Sequence, residues 1–112
     1  MWKIIHKVTT GLIIALGFVH LAFTAMEYAS FSLDALWFLG SGLAIVYAGF
    51  LNVAVIRSTG DDRMVRVLGL IANLLLAGLF AGTLSLMRPP QVFVGLALFV
   101  IAGVCVLARS RR

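Results

Sequence analysis

Charged residues are scarce in this chain, at 12% of its 112 positions, whereas an ordinary soluble domain has about 25%. A disordered chain is polar or strongly charged, so this scarcity excludes disorder. Apolar residues make up 62% of the sequence. A small soluble domain keeps a large share of its surface in water and could not bury so much apolar area. The composition therefore predicts an integral membrane protein.

Cysteine and histidine are also scarce, with one Cys and two His. Cys105 has no second cysteine to pair with, and a zinc-type Cys/His cluster cannot form. His6 and His20 are about 21 Å apart along a single helix, so they cannot share a metal ion. We therefore predict no metal site. Haem held between two His20 residues of a symmetric dimer is the alternative cofactor arrangement, but nothing else in the sequence supports it, and we predict no cofactor.

Familiar catalytic arrangements are missing as well. The sequence shows no nucleophile with a nearby base, no paired carboxylates and no glycine-rich phosphate loop. We expect a protein that is not an enzyme.

Four segments are long and apolar enough to cross a membrane, which takes roughly 20 residues. They cover about residues 4–26, 35–56, 65–87 and 91–108. Because the connections are short, consecutive helices must be antiparallel neighbours. We predict an all-α fold in which residues 1–112 form one transmembrane domain, an antiparallel up-down four-helix bundle. Asp34 is placed to cap the second helix, and Pro89 and Pro90 separate the last two helices.

Basic residues are concentrated at one side of the predicted bundle. Of nine Lys and Arg residues, only Arg88 falls on the other side. The positive-inside rule then predicts a multi-pass protein of the bacterial inner (plasma) membrane with both termini in the cytoplasm. The same distribution favours a membrane protein over a nucleic-acid-binding protein. The basic residues on the predicted cytoplasmic side are Lys3, Lys7, Arg57, Arg63, Arg66, Arg109, Arg111 and Arg112.

Polar residues within the spans fall into two predicted layers. His20 is the one ionisable residue that the sequence places well inside a span, and its ordinary pKa of about 6.5 allows protonation near physiological pH. Such a residue is either a ligand-binding group or a hydrogen-bonding group between helices. The hypothetical ligand site on the non-cytoplasmic side comprises His20, Thr24, Glu27, Ser41 and Thr83. The inner layer, interpreted as structural, comprises Thr10, Tyr47, Asn52 and Asn73.

Small residues recur at helical spacing and predict close helix packing. The third helix carries Gly69 and Gly78-x-x-x-Gly82, and the fourth carries Gly95 and Gly103. Such rows suit packing within the bundle, a homo-oligomer or a second membrane protein equally well. The expected partners are the lipid bilayer and such a protein, and no nucleic acid.

Part of the first half of the chain resembles small four-span bacterial inner-membrane proteins of uncharacterised function. The resemblance rests on residues 20–24, the run from Asp34 to Ala44, and Asn52, and it implies no particular activity. The chain also resembles the small multidrug resistance transporters in size. Those proteins carry a glutamate in the middle of the first helix, where this sequence has Ala15 and places its acidic residue, Glu27, at the edge.

Two functions remain open at the level of sequence. The favoured one is a small structural, accessory or scaffold protein whose polar residues join its helices. The alternative is a transporter or small-ligand-binding protein with a pocket centred on His20. The first predicts a packed bundle around His20, and the second predicts a concave site that opens toward Glu27.

Overall fold

Helices account for nearly all of the chain that the structure, a computed structural model, describes. The described residues are 1–58 and 62–110, with only the backbone described at 109 and 110. The helices are α1 (Trp2–Glu27), α2 (Leu33–Arg57), α3 (Arg63–Thr83) and α4 (Pro90–Ser110). No strand occurs in these ranges. The predicted all-α class is therefore confirmed.

The helices form a four-membered ring in which each packs against two others. α1 packs against α2 and α4, and α3 packs against the same two helices. α1 and α2 run antiparallel, because His6 near the start of α1 contacts Asn52 near the end of α2, while His20 contacts Phe38 near the start of α2. We call the end with the N-terminus of α1 the proximal end, and the end with the α1–α2 loop the distal end.

All four helices are long and apolar enough to span a membrane. Large apolar side chains also cover the outside of the bundle at mid-helix, where a water-soluble bundle would present polar residues. Leu12 is 52% exposed, Leu75 is 67% exposed and Val100 is 49% exposed. These observations indicate a small multi-pass membrane protein. The basic residues at the end of α2 and at the starts of α1 and α3 share the proximal end, whereas Arg111 and Arg112 lie outside the described residues.

Two helix ends differ from the sequence prediction. Ser32, and not Asp34, caps α2, since the Ser32 hydroxyl accepts from the backbone N–H of Ala35 at 3.2 Å; Asp34 lies in the first turn instead. α3 ends at Thr83, about one turn earlier than predicted. The chain then tightens into turns, with backbone hydrogen bonds that span three residues and satisfy the last carbonyls of the helix.

An apolar core fills the middle of the bundle. Its members come from α1, α2 and α4, and partly buried residues of α3 pack against them. This layer separates the polar groups of the proximal end from those of the distal end. The buried members are Ile13, Ile45, Ala48, Leu98, Phe99 and Ala102.

Glycines allow the backbones of α1 and α2 to approach closely. A methyl group added at Gly17 would lie 2.6 Å from Val46 Cγ2 and 3.0 Å from the Val46 backbone nitrogen. Gly69 plays the same part between α3 and α2, where an added methyl group would lie 2.5 Å from Val55 Cγ2. In contrast, Gly78 and Gly82 have nothing within 4 Å of such a group. The predicted small-residue rows are therefore used within the bundle at some positions and lie on its outer surface at others.

We expect Gly17→Ala to destabilise the protein by about 1–3 kcal/mol, because the added methyl group overpacks the contact with the α2 backbone. Gly11→Ala is the matched control on the same helix, since nothing lies within 4 Å of a methyl group there. It should leave stability unchanged or raise it by up to about 1 kcal/mol. The stability of both variants is measured in mild detergent by adding sodium dodecyl sulfate and monitoring the loss of structure by circular dichroism. Equal stability of the two variants would contradict the proposed close approach.

Candidate functional site

A buried network of three polar side chains joins α1, α2 and α3 near the proximal end. His6, Asn52 and Asn73 are each 0% exposed. The two asparagine amides pair reciprocally: Asn52 Nδ2 donates to Asn73 Oδ1 at 2.8 Å, and Asn73 Nδ2 donates to Asn52 Oδ1 at 2.9 Å. His6 Nε2 lies 3.0 Å from Asn52 Oδ1. The network therefore satisfies amides that would be costly to bury alone.

One backbone carbonyl sets the direction of every hydrogen bond in this network. Asn52 Nδ2 also donates to the Ala48 carbonyl oxygen at 2.9 Å, and a carbonyl only accepts. The amide nitrogen of Asn52 must therefore face Ala48, which turns Oδ1 toward His6. Since Oδ1 is an acceptor, His6 Nε2 carries a hydrogen and donates it.

The sequence predicted this inner layer only in part. Asn52 and Asn73, which the sequence places in one layer, bond to each other. Thr10 is buried at 3% exposure, but its hydroxyl oxygen has no hydrogen-bond partner among the described residues. Tyr47 is 61% exposed and lies outside the network. His6 was not recognised, because its place two residues after the start of the predicted span suggested the membrane surface. His6 is therefore a second ionisable residue inside the bundle, although it lies close to the start of its helix.

A cavity of about 610 Å³ lies at the distal end and is lined by residues of all four helices. Its volume is within the range of about 300–1,000 Å³ that is typical of small-molecule sites. Buried Ile45 and half-buried Phe80 line it at the level of the apolar core. Exposed Glu27, Met87 and Gln91 line its mouth. We call this space the distal cavity; its remaining lining residues are Leu16, Val19, His20, Phe23, Tyr28, Phe38, Ser41, Leu79, Thr83, Pro89 and Val92.

His20 is fixed in the wall of the distal cavity by two contacts with α2. Its Nε2 lies 3.0 Å from the Phe38 carbonyl oxygen, and its ring stacks on the Phe38 ring with centroids 3.9 Å apart and an angle of 16° between the planes. Because the carbonyl can only accept, Nε2 carries the hydrogen. In the neutral ring, Nδ1 is then an acceptor, and it has no hydrogen-bond partner among the described residues.

The other predicted site residues divide between the cavity and the helix surface. Glu27, Ser41 and Thr83 line the cavity together with His20. Thr24 does not; its hydroxyl donates to the His20 carbonyl oxygen at 3.2 Å, within its own helix. The aromatic residues Phe38 and Phe80, which sequence reasoning did not place in the site, contribute much of its wall. Helical spacing placed Thr24 on the same stripe of α1 as His20 and Glu27, but spacing alone could not show that the Thr24 hydroxyl bonds within its own helix.

The described residues contain no group of three or more His, Cys, Asp or Glu that could hold a metal ion. The chain matches no family model, no curated protein and no solved structure in comparisons with known proteins.

The asparagine pair predicts a measurable coupling. Asn52→Leu or Asn73→Leu alone should destabilise the protein by about 1–3 kcal/mol, because each leaves buried polar groups of its partners without hydrogen bonds. The double variant should lose less than the sum of the two, with a coupling of about 0.5–3 kcal/mol. Detergent unfolding of the four proteins of this cycle measures the coupling. Strict additivity would show that the two amides do not interact.

Proposed function

We propose that this protein binds a small amphipathic molecule in the distal cavity. The observation that carries the proposal is the combination of this 610 Å³ space with His20, whose Nε2 is held by the Phe38 carbonyl while its Nδ1 has no partner among the described residues. A site with apolar walls and a few oriented polar groups is the usual form of a small-molecule site.

The apolar core below the cavity favours binding over passage through the bundle. Ile45 belongs both to the wall of the cavity and to the buried core. Beyond it lie Ile13 and Ala102, each 0% exposed. A ligand that enters at the distal end therefore meets a closed floor, which supports a binding protein, or one state of a transporter.

A scaffold or accessory role is the second candidate, and one observation favours it. Gly78 and Gly82 lie on the outer surface of α3 with nothing within 4 Å of an added methyl group. Close helix contacts in membranes use such spacing, so this face suits a second membrane protein or another copy of the chain. The two candidates differ in whether a change inside the distal cavity alters function.

For the orientation we propose the bacterial inner membrane with both termini in the cytoplasm and the distal cavity on the opposite side. Described basic residues Lys3, Lys7 and Arg57 lie at the proximal end, and the positive-inside rule supports a cytoplasmic location for them.

The binding proposal predicts that N-phenyl-1-naphthylamine, a neutral apolar fluorophore, binds the protein in lipid nanodiscs above the level found in empty nanodiscs. Energy transfer from tryptophan locates the probe, since the chain has two Trp residues, one at each end. Transfer should persist in Trp2→Phe, which keeps Trp37 beside the cavity residue Phe38, and should fall strongly in Trp37→Phe.

Two variants at neighbouring positions, one inside the cavity and one outside it, control this measurement. Ser41→Phe fills the cavity and should reduce binding at least about tenfold. Gly40→Phe places the same side chain on the neighbouring position, where nothing lies within 4 Å of an added methyl group, and should bind the probe as wild type does. Equal binding by both variants, or transfer from Trp2 alone, would exclude the distal cavity as the site.

The orientation has its own test. Green fluorescent protein fused after Arg112 should fluoresce, and alkaline phosphatase fused at the same position should be inactive, because the former folds in the cytoplasm and the latter requires the periplasm. The opposite pattern would reverse the proposed orientation.

A further inference from the structure

The serine and threonine hydroxyl groups of the distal cavity have already used their hydrogens. Ser41 Oγ donates to the Trp37 carbonyl oxygen at 3.0 Å, and Thr83 Oγ1 donates to the Leu79 carbonyl oxygen at 2.8 Å. A hydroxyl has one hydrogen and two lone pairs, so each oxygen can still accept from a ligand but has no hydrogen left to donate.

His20 likewise has an acceptor available to a ligand and no free hydrogen to donate. Its Nε2 hydrogen is given to the Phe38 carbonyl, which leaves Nδ1 of the neutral ring as an acceptor. Three polar side chains that line the cavity, His20, Ser41 and Thr83, share this state, whereas Tyr28 and Gln91 also line it and keep a hydrogen that they can donate. His20, Ser41 and Thr83 therefore offer acceptors from three helices and no free hydrogen, so this part of the cavity suits a ligand that brings its own N–H or O–H groups.

The net fixed charge at the distal end is negative, with the carboxylates of Glu27 and Asp34 against the guanidinium of Arg88. Glu27 lines the cavity, and no Lys or Arg is among the lining residues. Arg88 lies between the lining residues Met87 and Pro89; its Nε donates to the Leu84 carbonyl oxygen at 3.3 Å, and its guanidinium brings one positive charge to the same end. Asp34 adds a second carboxylate at the same end without lining the cavity. A carboxylate at the mouth of an apolar cavity attracts cations and repels anions.

Aromatic rings supply the rest of the wall. Phe23, Tyr28, Phe38 and Phe80 all line the cavity, and Tyr28 packs on Phe38 with ring centroids 5.7 Å apart. Ring faces attract cations and also pack well against an apolar ligand body. The wall is thus compatible with both halves of a cationic amphipath.

We propose that the ligand of the distal cavity is a lipophilic primary amine bound as its ammonium ion. The N–H groups donate to His20 Nδ1 and to the oxygens of Ser41 and Thr83, while the Glu27 carboxylate attracts the charge at the mouth. The apolar body packs against the aromatic wall. This inference rests on the proposed binding function and specifies the ligand class of the same site.

The test is displacement of N-phenyl-1-naphthylamine from the protein in nanodiscs of zwitterionic lipid by compounds that share one naphthalene body. They are 2-(2-naphthyl)ethylamine, its N,N,N-trimethyl derivative, 2-(2-naphthyl)ethanol and 3-(2-naphthyl)propionate, each corrected for partition into empty nanodiscs. The primary amine should bind about tenfold more tightly than the alcohol, because carboxylate attraction and cation–π contact add to hydrogen bonding. The carboxylate should bind most weakly, and the trimethyl compound more weakly than the primary amine because it has no N–H.

Two carboxylate variants test whether the charge must lie at the mouth of the cavity or only at the same end of the bundle. Glu27→Gln should reduce the preference for the amine over the alcohol to about twofold. Asp34→Asn removes the same charge from the same end outside the cavity and should keep the wild-type preference. His20→Phe should reduce the difference between the primary and trimethyl amines, since the ring that replaces it has no acceptor nitrogen and only the oxygens of Ser41 and Thr83 remain.

The outcomes distinguish the failure of this inference from failure of the proposed function. Binding of the naphthylamine probe with equal displacement by amine and alcohol would overturn the amine assignment and leave a neutral-ligand site. A preference for the amine that survives Glu27→Gln, or that Asp34→Asn also removes, would overturn the role of Glu27. Equal affinity of the primary and trimethyl amines would overturn the donor requirement. Absence of probe binding in the distal cavity would overturn both the inference and the binding function.

Discussion

The reciprocal amide pair between Asn52 and Asn73 is the constraint on which the bundle depends. Two amides in an apolar interior must satisfy each other, and they do so only when α2 and α3 hold one relative depth. His6 adds α1 to the same register through Asn52. Apolar packing alone would tolerate sliding of one helix along another, because lipid and leucine are equally apolar surroundings. Directed hydrogen bonds remove that freedom.

The polar side chains at the two ends of the bundle have different hydrogen-bond partners. At the proximal end, side chains from separate helices bond to one another, and the interior closes. At the distal end, Ser41 and Thr83 bond to carbonyls of their own helices. A hydroxyl that is hydrogen-bonded within its own helix does not link that helix to another. The distal ends can therefore stay apart around a cavity while the proximal network and the apolar core hold the fold.

Sequence reasoning brought three of the cavity residues to one level and did not recognise His6, which is as fully buried as Asn52 and Asn73. Depth along each helix follows from counting residues at about 1.5 Å each, and this was enough to bring His20, Ser41 and Thr83 to one level. Rotation about the helix axis follows from contacts, which is why Thr24 and Tyr47 were misplaced. His6 was missed because a position near the start of a span suggests the surface, whereas α1 begins at Trp2 and carries His6 into the bundle.

The sequence by itself determined the class of protein, the number of helices and their antiparallel order, since these depend on composition, on span length and on connections too short for any other path. Tertiary structure alone decided which polar residues meet. A pair such as His6 and Asn52 is separated by 46 positions in the sequence and comes into contact only because α1 and α2 pack against each other. It also decided that the distal end encloses a cavity of about 610 Å³. Empty space between helices depends on side-chain shape from all of them at once, which no single segment encodes.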